Sequence, residues 1–241
     1  MSLKRGRDSH QRVPEESLES RIANLIVKVG DGDSAAQLSH HLEGLADALL
    51  RDLRQHHQLI VETILDCARS LHVKSMVYAT LTGLLNESSG HVGLEIAEGA
   101  QRELQNALED HAPLAIRGLT RFVAGLMSAH VVAPSYVIEL LKTYLSSRDD
   151  STTPTARTEW FAVLVMDALI LCGKELAASE PVALTSLLEQ LESCAEQRKA
   201  LRDTVPLLLP FSTSTTAEEF VEHFDALWSI VRTGLLDVRA H

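Results

Sequence analysis

Residues 34–49 read Ser34-Ala-Ala-Gln-Leu38-Ser-His-His-Leu42-Glu-Gly-Leu45-Ala-Asp-Ala-Leu49. The leucines at 38, 42, 45 and 49 are separated by four, three and four residues. A helix turns once in about 3.6 residues, so this spacing gathers the leucines onto one face. Ser34 precedes the run as an N-cap, a residue type whose side-chain oxygen satisfies an unpaired N–H of the first turn. A half-buried strand would instead alternate polar and apolar residues. No such alternation longer than four residues occurs in the chain.

The same spacing recurs on both sides. Before this run come Leu18, Ile22, Leu25, Ile26 and Val29, closed by Gly30, a residue suited to a helix C-terminus. After it, residues 56–70 align Ile60, Ile64 and Cys67 with Leu71, and a fourth helix carries Val77, Leu81, Leu84 and Leu85 up to a break at Asn86-Glu-Ser-Ser-Gly90. Val92, Ile96, Leu104 and Leu108 mark a fifth, weakened by Gly93 and Gly99; Ile116, Leu119, Val123 and Leu126 mark a sixth. Val137, Leu140, Leu141 and Leu145 follow Pro134 as a seventh. Trp160, Leu164 and Leu171 belong to an eighth, so apolar on all sides that it is expected at the centre. Val182, Leu187, Leu188, Leu191 and Leu201 define a ninth. A tenth follows the capping-box pattern Thr216-Ala-Glu-Glu219 and carries Phe220, Phe224, Leu227, Trp228 and Val231.

Ten helices in five successive pairs imply antiparallel hairpins recurring about every 40 residues, the period of HEAT-like repeats. The expected fold is therefore all-α, an α-α superhelix of HEAT-like or ARM-type hairpins, with a closed helical bundle as the alternative. Residues 1–14 are expected to be a disordered basic tail and residues 15–241 one helical domain. Its sizeable loops are Ser146–Pro154 and Val205–Thr215.

Composition agrees. Leucine occurs 39 times in 241 residues, while Phe, Tyr and Trp together number ten, a balance that disfavours a β-sandwich. Lys and Arg number 22 against 33 Asp and Glu, for a net charge of −11. The first twelve residues hold four cations and one anion, so the remainder carries −14 and repels polyanions. Three scattered cysteines make neither a disulfide framework nor a zinc site. The longest apolar stretch, Phe161 to Gly173, is cut by Asp167 and falls short of the roughly 18–20 residues of a membrane span. No apolar segment follows the N-terminal basic residues as a secretory signal would require. The chain is thus expected to be soluble, intracellular and without a membrane partner. Lys4, Arg5 and Arg7 read either as a weak nuclear-import patch or as an ordinary solvated tail.

Catalytic patterns are missing. The sequence has no Gly-x-Ser-x-Gly, no phosphate-cradling glycine loop before Lys-Ser/Thr, and no His-Glu-x-x-His. Asp31-Gly-Asp33-Ser34 opens like a calcium loop, but Ala36 and Leu42 stand where Gly and Glu are required, leaving a polar turn before an N-cap. The adjacent pairs His40-His41 and His56-His57 diverge by about 100° on a helix and chelate one ion poorly. Cys67 and Cys172 lie in apolar helical stretches as core residues. Glu218-Glu219 and Asp149-Asp150 need only solvation. Arg102, Arg117, Arg121 and Lys142 are candidates to share a basic surface for RNA. No catalytic residue, metal ligand or cofactor is expected.

Beyond periodicity, an ordered set of segments resembles one family. Glu19-Ser-Arg-Ile-Ala-Asn-Leu-Ile-Val-Lys-Val-Gly30 and Leu42-Glu-Gly-Leu-Ala46 resemble the start of the first helical domain of the large subunit of the nuclear cap-binding complex. Tyr78-Ala-Thr-Leu-Thr-Gly-Leu-Leu-Asn86, His130-Val-Val-Ala-Pro-Ser135, Glu159-Trp160, Gly173-Lys-Glu-Leu176 and Leu227-Trp228 follow in the family's order. Where the family often has Pro-Trp, this chain has Ile170-Leu171-Cys172. The resemblance implies a crescent of HEAT-type hairpins similar to the middle domain of initiation factor 4G. It also implies a nuclear scaffold, shuttling to the cytoplasm, that clamps a small RRM subunit into its cap-binding state. Splicing, export and decay factors are the further partners, and capped RNA is met only indirectly, since the cap-stacking residues belong to the small subunit. Family members continue into two more helical domains that hold most small-subunit contacts, so those contacts are expected to be incomplete here. A cytoplasmic scaffold of the factor-4G kind, in translation or mRNA decay, is the alternative.

Overall fold

Capping residues and prolines cut the chain into helices. The computed structural model describes residues 17–32, 34–148, 152–201 and 217–236. Among them are nine α-helices and no strand: α1 Leu18–Lys28, α2 Ala35–Ser70, α3 Ser75–Ser88, α4 Gly90–Glu109, α5 Pro113–Ser128, α6 Pro134–Ser146, α7 Thr155–Ser179, α8 Pro181–Leu201 and α9 Ala217–Leu236. A 3-10 turn, His72–Lys74, joins α2 to α3. Ser17 caps α1 by accepting the Ser20 N–H at 3.1 Å, and Gly30, at φ +81°, takes the left-handed turn beyond its end. Pro113 and Pro134 open α5 and α6, where a missing N–H costs nothing. α4 and α5 end differently: His111 and His130 adopt φ 52° and 57°, a conformation in which glycine is ordinarily found. Beyond each, a 6→1 hydrogen bond (Ala112 N–H to Ala107 O, Val131 N–H to Leu126 O) closes the helix.

The expected second and third helices are one helix. α2 runs for 36 residues and bends at His56, whose φ of −123° and ψ of 23° leave the helical region. Arg51-Asp-Leu-Arg-Gln55 contains neither proline nor glycine, so nothing there stops the helix. The long helix serves several neighbours: Leu38 approaches Gly30 after α1, Leu65 meets Gly99 of α4, and Ala68 meets Gly118 of α5. The break expected at residues 86–90 shrinks to Ser89. Val182 is 83% exposed and does not join the seam of α8, which is built from Leu184, Leu187, Leu188 and Leu191. The tail 1–14, the loop Val205–Thr215 and the cap residue Thr216 lie outside the described residues.

Packing passes from hairpin to hairpin. α3 lies against α5, α5 against α7, and α7 against α9, forming one layer; α2 against α4 and α6 against α8 form the other. The fold is all-α and of helical-repeat type. Its core is one cluster running from Ile22 to Leu235. α7 is central as expected, with Trp160 through Leu169 all buried, and it touches α5, α6, α8 and α9. Polar side chains lock the seams. Tyr78, wholly buried on α3, donates its hydroxyl to the Val27 carbonyl of α1 at 3.1 Å, and Lys74 donates to the same oxygen at 3.0 Å.

Candidate functional site

Where α5 packs on α7, two arginines meet a buried acid. Arg117 and Arg121 stand one turn apart on α5, so both reach the same point. That point is Asp167, the single acid of the apolar stretch of α7, buried at 8% exposure. Arg117 Nε donates to Asp167 Oδ2 at 2.7 Å, and Arg121 Nη1 lies 3.4 Å from the same oxygen. His72 sits nearby in the 3-10 turn, and burial followed by the fields of Arg117 and Arg121 pulls its pKa below the ordinary 6.5. Two guanidiniums share one carboxylate. Chemically, such a pair suits a carboxylate or phosphate offered by a partner.

Three open grooves run between helices. One of about 580 Å³ lies between α1 and α2, lined by Leu25, Val29, Leu45 and Ala48 with His40 and His41 at its edge. Another of about 550 Å³ lies between α3 and α5, with Met76, Leu84 and His130. A third of about 380 Å³, between α4 and α6, exposes edges of Leu108, Tyr136 and Leu140. Apolar grooves of this kind can accept the side chains of a docked segment.

Two more perturbed ionisable groups, Glu159 of α7 and Cys194 of α8, lie close to α9. Burial raises the Glu159 carboxyl above its ordinary range while Arg198 opposes it. The guanidinium of Arg198 lies 4.5 Å over the Phe224 ring and donates to Asp225 at 3.3 Å. The adjoining cleft, about 40 Å³, holds little more than a water molecule or two. This cluster fastens α9 to α7 and α8, and the room for a substrate is missing there.

Of the four candidate basic residues, the structure joins only Arg117 and Arg121; Lys142 pairs with Glu139 on its own helix at 3.0 Å, and Arg102 lies exposed on α4. Cys67 and Cys172 are buried, and burial pushes the Cys172 thiol up to about 12, which keeps it protonated and unreactive. Ser34 caps α2, its N–H donating to Gln37 Oε1 at 3.0 Å, as expected of an N-cap, while Asp33 of the same turn lies outside the described residues. His57 turns away from His56 toward Glu95 and His91 of α4. Lys4, Arg5, Arg7, Asp149 and Asp150 lie outside the described residues, as do the side chains of Glu218 and Glu219. Arg198 drew no attention in the sequence, where nothing distinguishes a buried arginine from a solvated one. Asp167 did leave a mark: a lone acid inside an apolar helix requires a partner.

Against known families, the sequence matches the model of the MIF4G domain over residues 20–222, most of the chain, from within α1 into α9. The chain belongs to the MIF4G domain family. Among curated proteins, this MIF4G chain is similar to nuclear cap-binding protein subunit 1 of Xenopus tropicalis, with 30% identity over 215 residues, or 89% of this chain and 27% of that protein. The same subunit from Salmo salar is 31% identical over 231 residues, covering 94% of this chain and 28% of that protein. In Gallus gallus the identity is 32% over 223 residues, covering 92% and 28%. The MIF4G chain therefore spans little more than a quarter of the length of these relatives. Among the described residues, no helix of the MIF4G domain is long and apolar enough to cross a membrane.

Proposed function

We propose that this chain is a non-enzymatic scaffold domain of nuclear cap-binding type, acting in cap-dependent RNA processing, splicing, export and decay through protein partners. The observation that carries the reading is the similarity to nuclear cap-binding protein subunit 1 along 89–94% of the chain, together with the MIF4G match. Stacked hairpins leave helix faces and inter-helix grooves exposed along a long surface, and each groove is a seat for a partner segment. A net charge of −11 favours basic partners, speeds their association at low salt and turns RNA away, so capped RNA is met indirectly. The small RRM cap-binding subunit is one partner. The domain spans residues 15–241 behind a basic tail of residues 1–14, in which Lys4, Arg5 and Arg7 serve nuclear import.

The test captures partners from nuclear and cytoplasmic extracts with the full chain as bait, at several salt concentrations, and identifies them by mass spectrometry. Splicing, export or cap-complex proteins from the nuclear extract, in salt-dependent amounts, are the expected result. Recovery of no RNA-processing factor refutes the reading. A DEAD-box helicase recovered from cytoplasm, with the chain itself located there, replaces it with the factor-4G alternative.

A further inference from the structure

Three side chains from two helices converge beside the bend in α2. His57, the residue after the bend, places Nε2 2.5 Å from Glu95 Oε2 of α4. His91 stands one turn before Glu95 on the same helix, with Nδ1 3.8 Å from the same oxygen. The two imidazole rings lie 5.8 Å apart, tilted by 46°. One donor atom from each residue falls within 4.8 Å of the other two.

We propose that His57, His91 and Glu95 form a binding site for a divalent transition metal of the zinc class, which clips α2 to α4. Two imidazole nitrogens and a carboxylate oxygen are a zinc donor set; calcium and magnesium prefer oxygen throughout. Tetrahedral zinc with bonds of about 2.0–2.1 Å holds its donors about 3.3 Å apart. The observed separations bracket that value, and side-chain rotation closes the difference. His91 is free to make that rotation, its side chain being 78% exposed. A hydrogen bond alone would use one imidazole; the second imidazole on the same oxygen turns the pair into a chelate. The cluster lies at the surface, so water completes the fourth position, as at zinc sites with three protein ligands. Only His91 and Glu95 are near in sequence. His57 joins them through the packing of α2 on α4, so the folded chain binds the ion far better than the unfolded chain and is stabilised by it.

The test uses the untagged full chain titrated with Zn²⁺ by calorimetry, and with Co²⁺ followed by its visible absorption, which reports four-coordinate geometry. One equivalent binding in the micromolar range is expected, with a rise in the unfolding midpoint that a chelator reverses. His57→Ala, His91→Ala and Glu95→Gln should each weaken binding at least tenfold, whereas His40→Ala/His41→Ala should bind as the parent does. His91→Ala is the decisive variant, because so exposed a side chain can be lost without unfolding the chain, and circular dichroism checks that it is. Binding no tighter than that of the triple variant His57→Ala/His91→Ala/Glu95→Gln, or unchanged by His91→Ala, overturns the proposal.

Discussion

Gly118→Ala adds one methyl group where the chain has no room for it. A Cβ at Gly118 of α5 would stand 2.6 Å from the carbonyl oxygen of Ala68, 3.1 Å from that of Arg69 and 3.4 Å from His72 Cβ. The two carbonyls belong to the last turn of α2, so the clash is with backbone and no rotamer relieves it. The Gly118 carbonyl also accepts the Ser75 hydroxyl at 3.2 Å, and moving α5 outward stretches that bond. Overpacking of this kind costs about 1–3 kcal/mol. Alanine returns about 1 kcal/mol through its better helix propensity. With backbone atoms on both sides the cost lies toward the upper end, and the net loss is about 1–2 kcal/mol. For a chain of this size that lowers the melting temperature by roughly 3–6 °C. Gly44→Ala in α2 is the matched control, since nothing lies within 4 Å of its added Cβ. There only the propensity term acts, and stability should rise by about 1 kcal/mol. Thermal and urea melts of both variants, followed by circular dichroism, measure the pair. Gly118→Ala melting at or above the parent, or both variants shifting in the same direction, would refute the close-approach reasoning.

Other expectations follow from single groups. His111→Gly and His130→Gly should each stabilise the chain by about 0.5–1 kcal/mol in urea melts, because glycine relieves the left-handed strain of these helix ends at a smaller entropic cost. Asp167→Ala leaves Arg117 and Arg121 without their shared acid in a half-buried place; a loss of about 2–3 kcal/mol is expected, and a neutral result would show that the pair relaxes into solvent. His72 has a folded-state pKa below 6.5, so the unfolded chain takes up its proton first. Its contribution to stability is complete above about pH 6.5 and is lost as pH falls from there through the lowered folded value. His72→Gln should therefore flatten the stability-versus-pH curve below 6.5, and an unchanged slope there removes His72 as the cause.

Periodicity pointed to each of the nine helices among the described residues, because apolar side chains recur along them at spacings that a helix aligns on one face. It failed where a boundary depended on absence. Nothing in Arg51–Gln55 breaks a helix, and α2 continues through it to the bend at His56. Val182 satisfied the spacing but stands exposed in the first turn of α8. The basic residues were half legible: the one-turn separation of Arg117 and Arg121 was visible, while Lys142 and Arg102 belong to other faces. The His57–His91–Glu95 cluster was hidden by a separation of 38 residues between His57 and Glu95, and only the one-turn spacing of His91 and Glu95 hinted at it.

The order and type of the elements, and the absence of any sheet among the described residues, were decided locally, since apolar spacing, caps and prolines act within a few turns of chain. Which helix faces meet was decided by tertiary packing. Asp167 between two arginines, His57 beside α4 and Arg198 over Phe224 arise from contacts between segments far apart in sequence. Those contacts depend on where each hairpin stacks on the next, a property of the assembled core that no single helix carries.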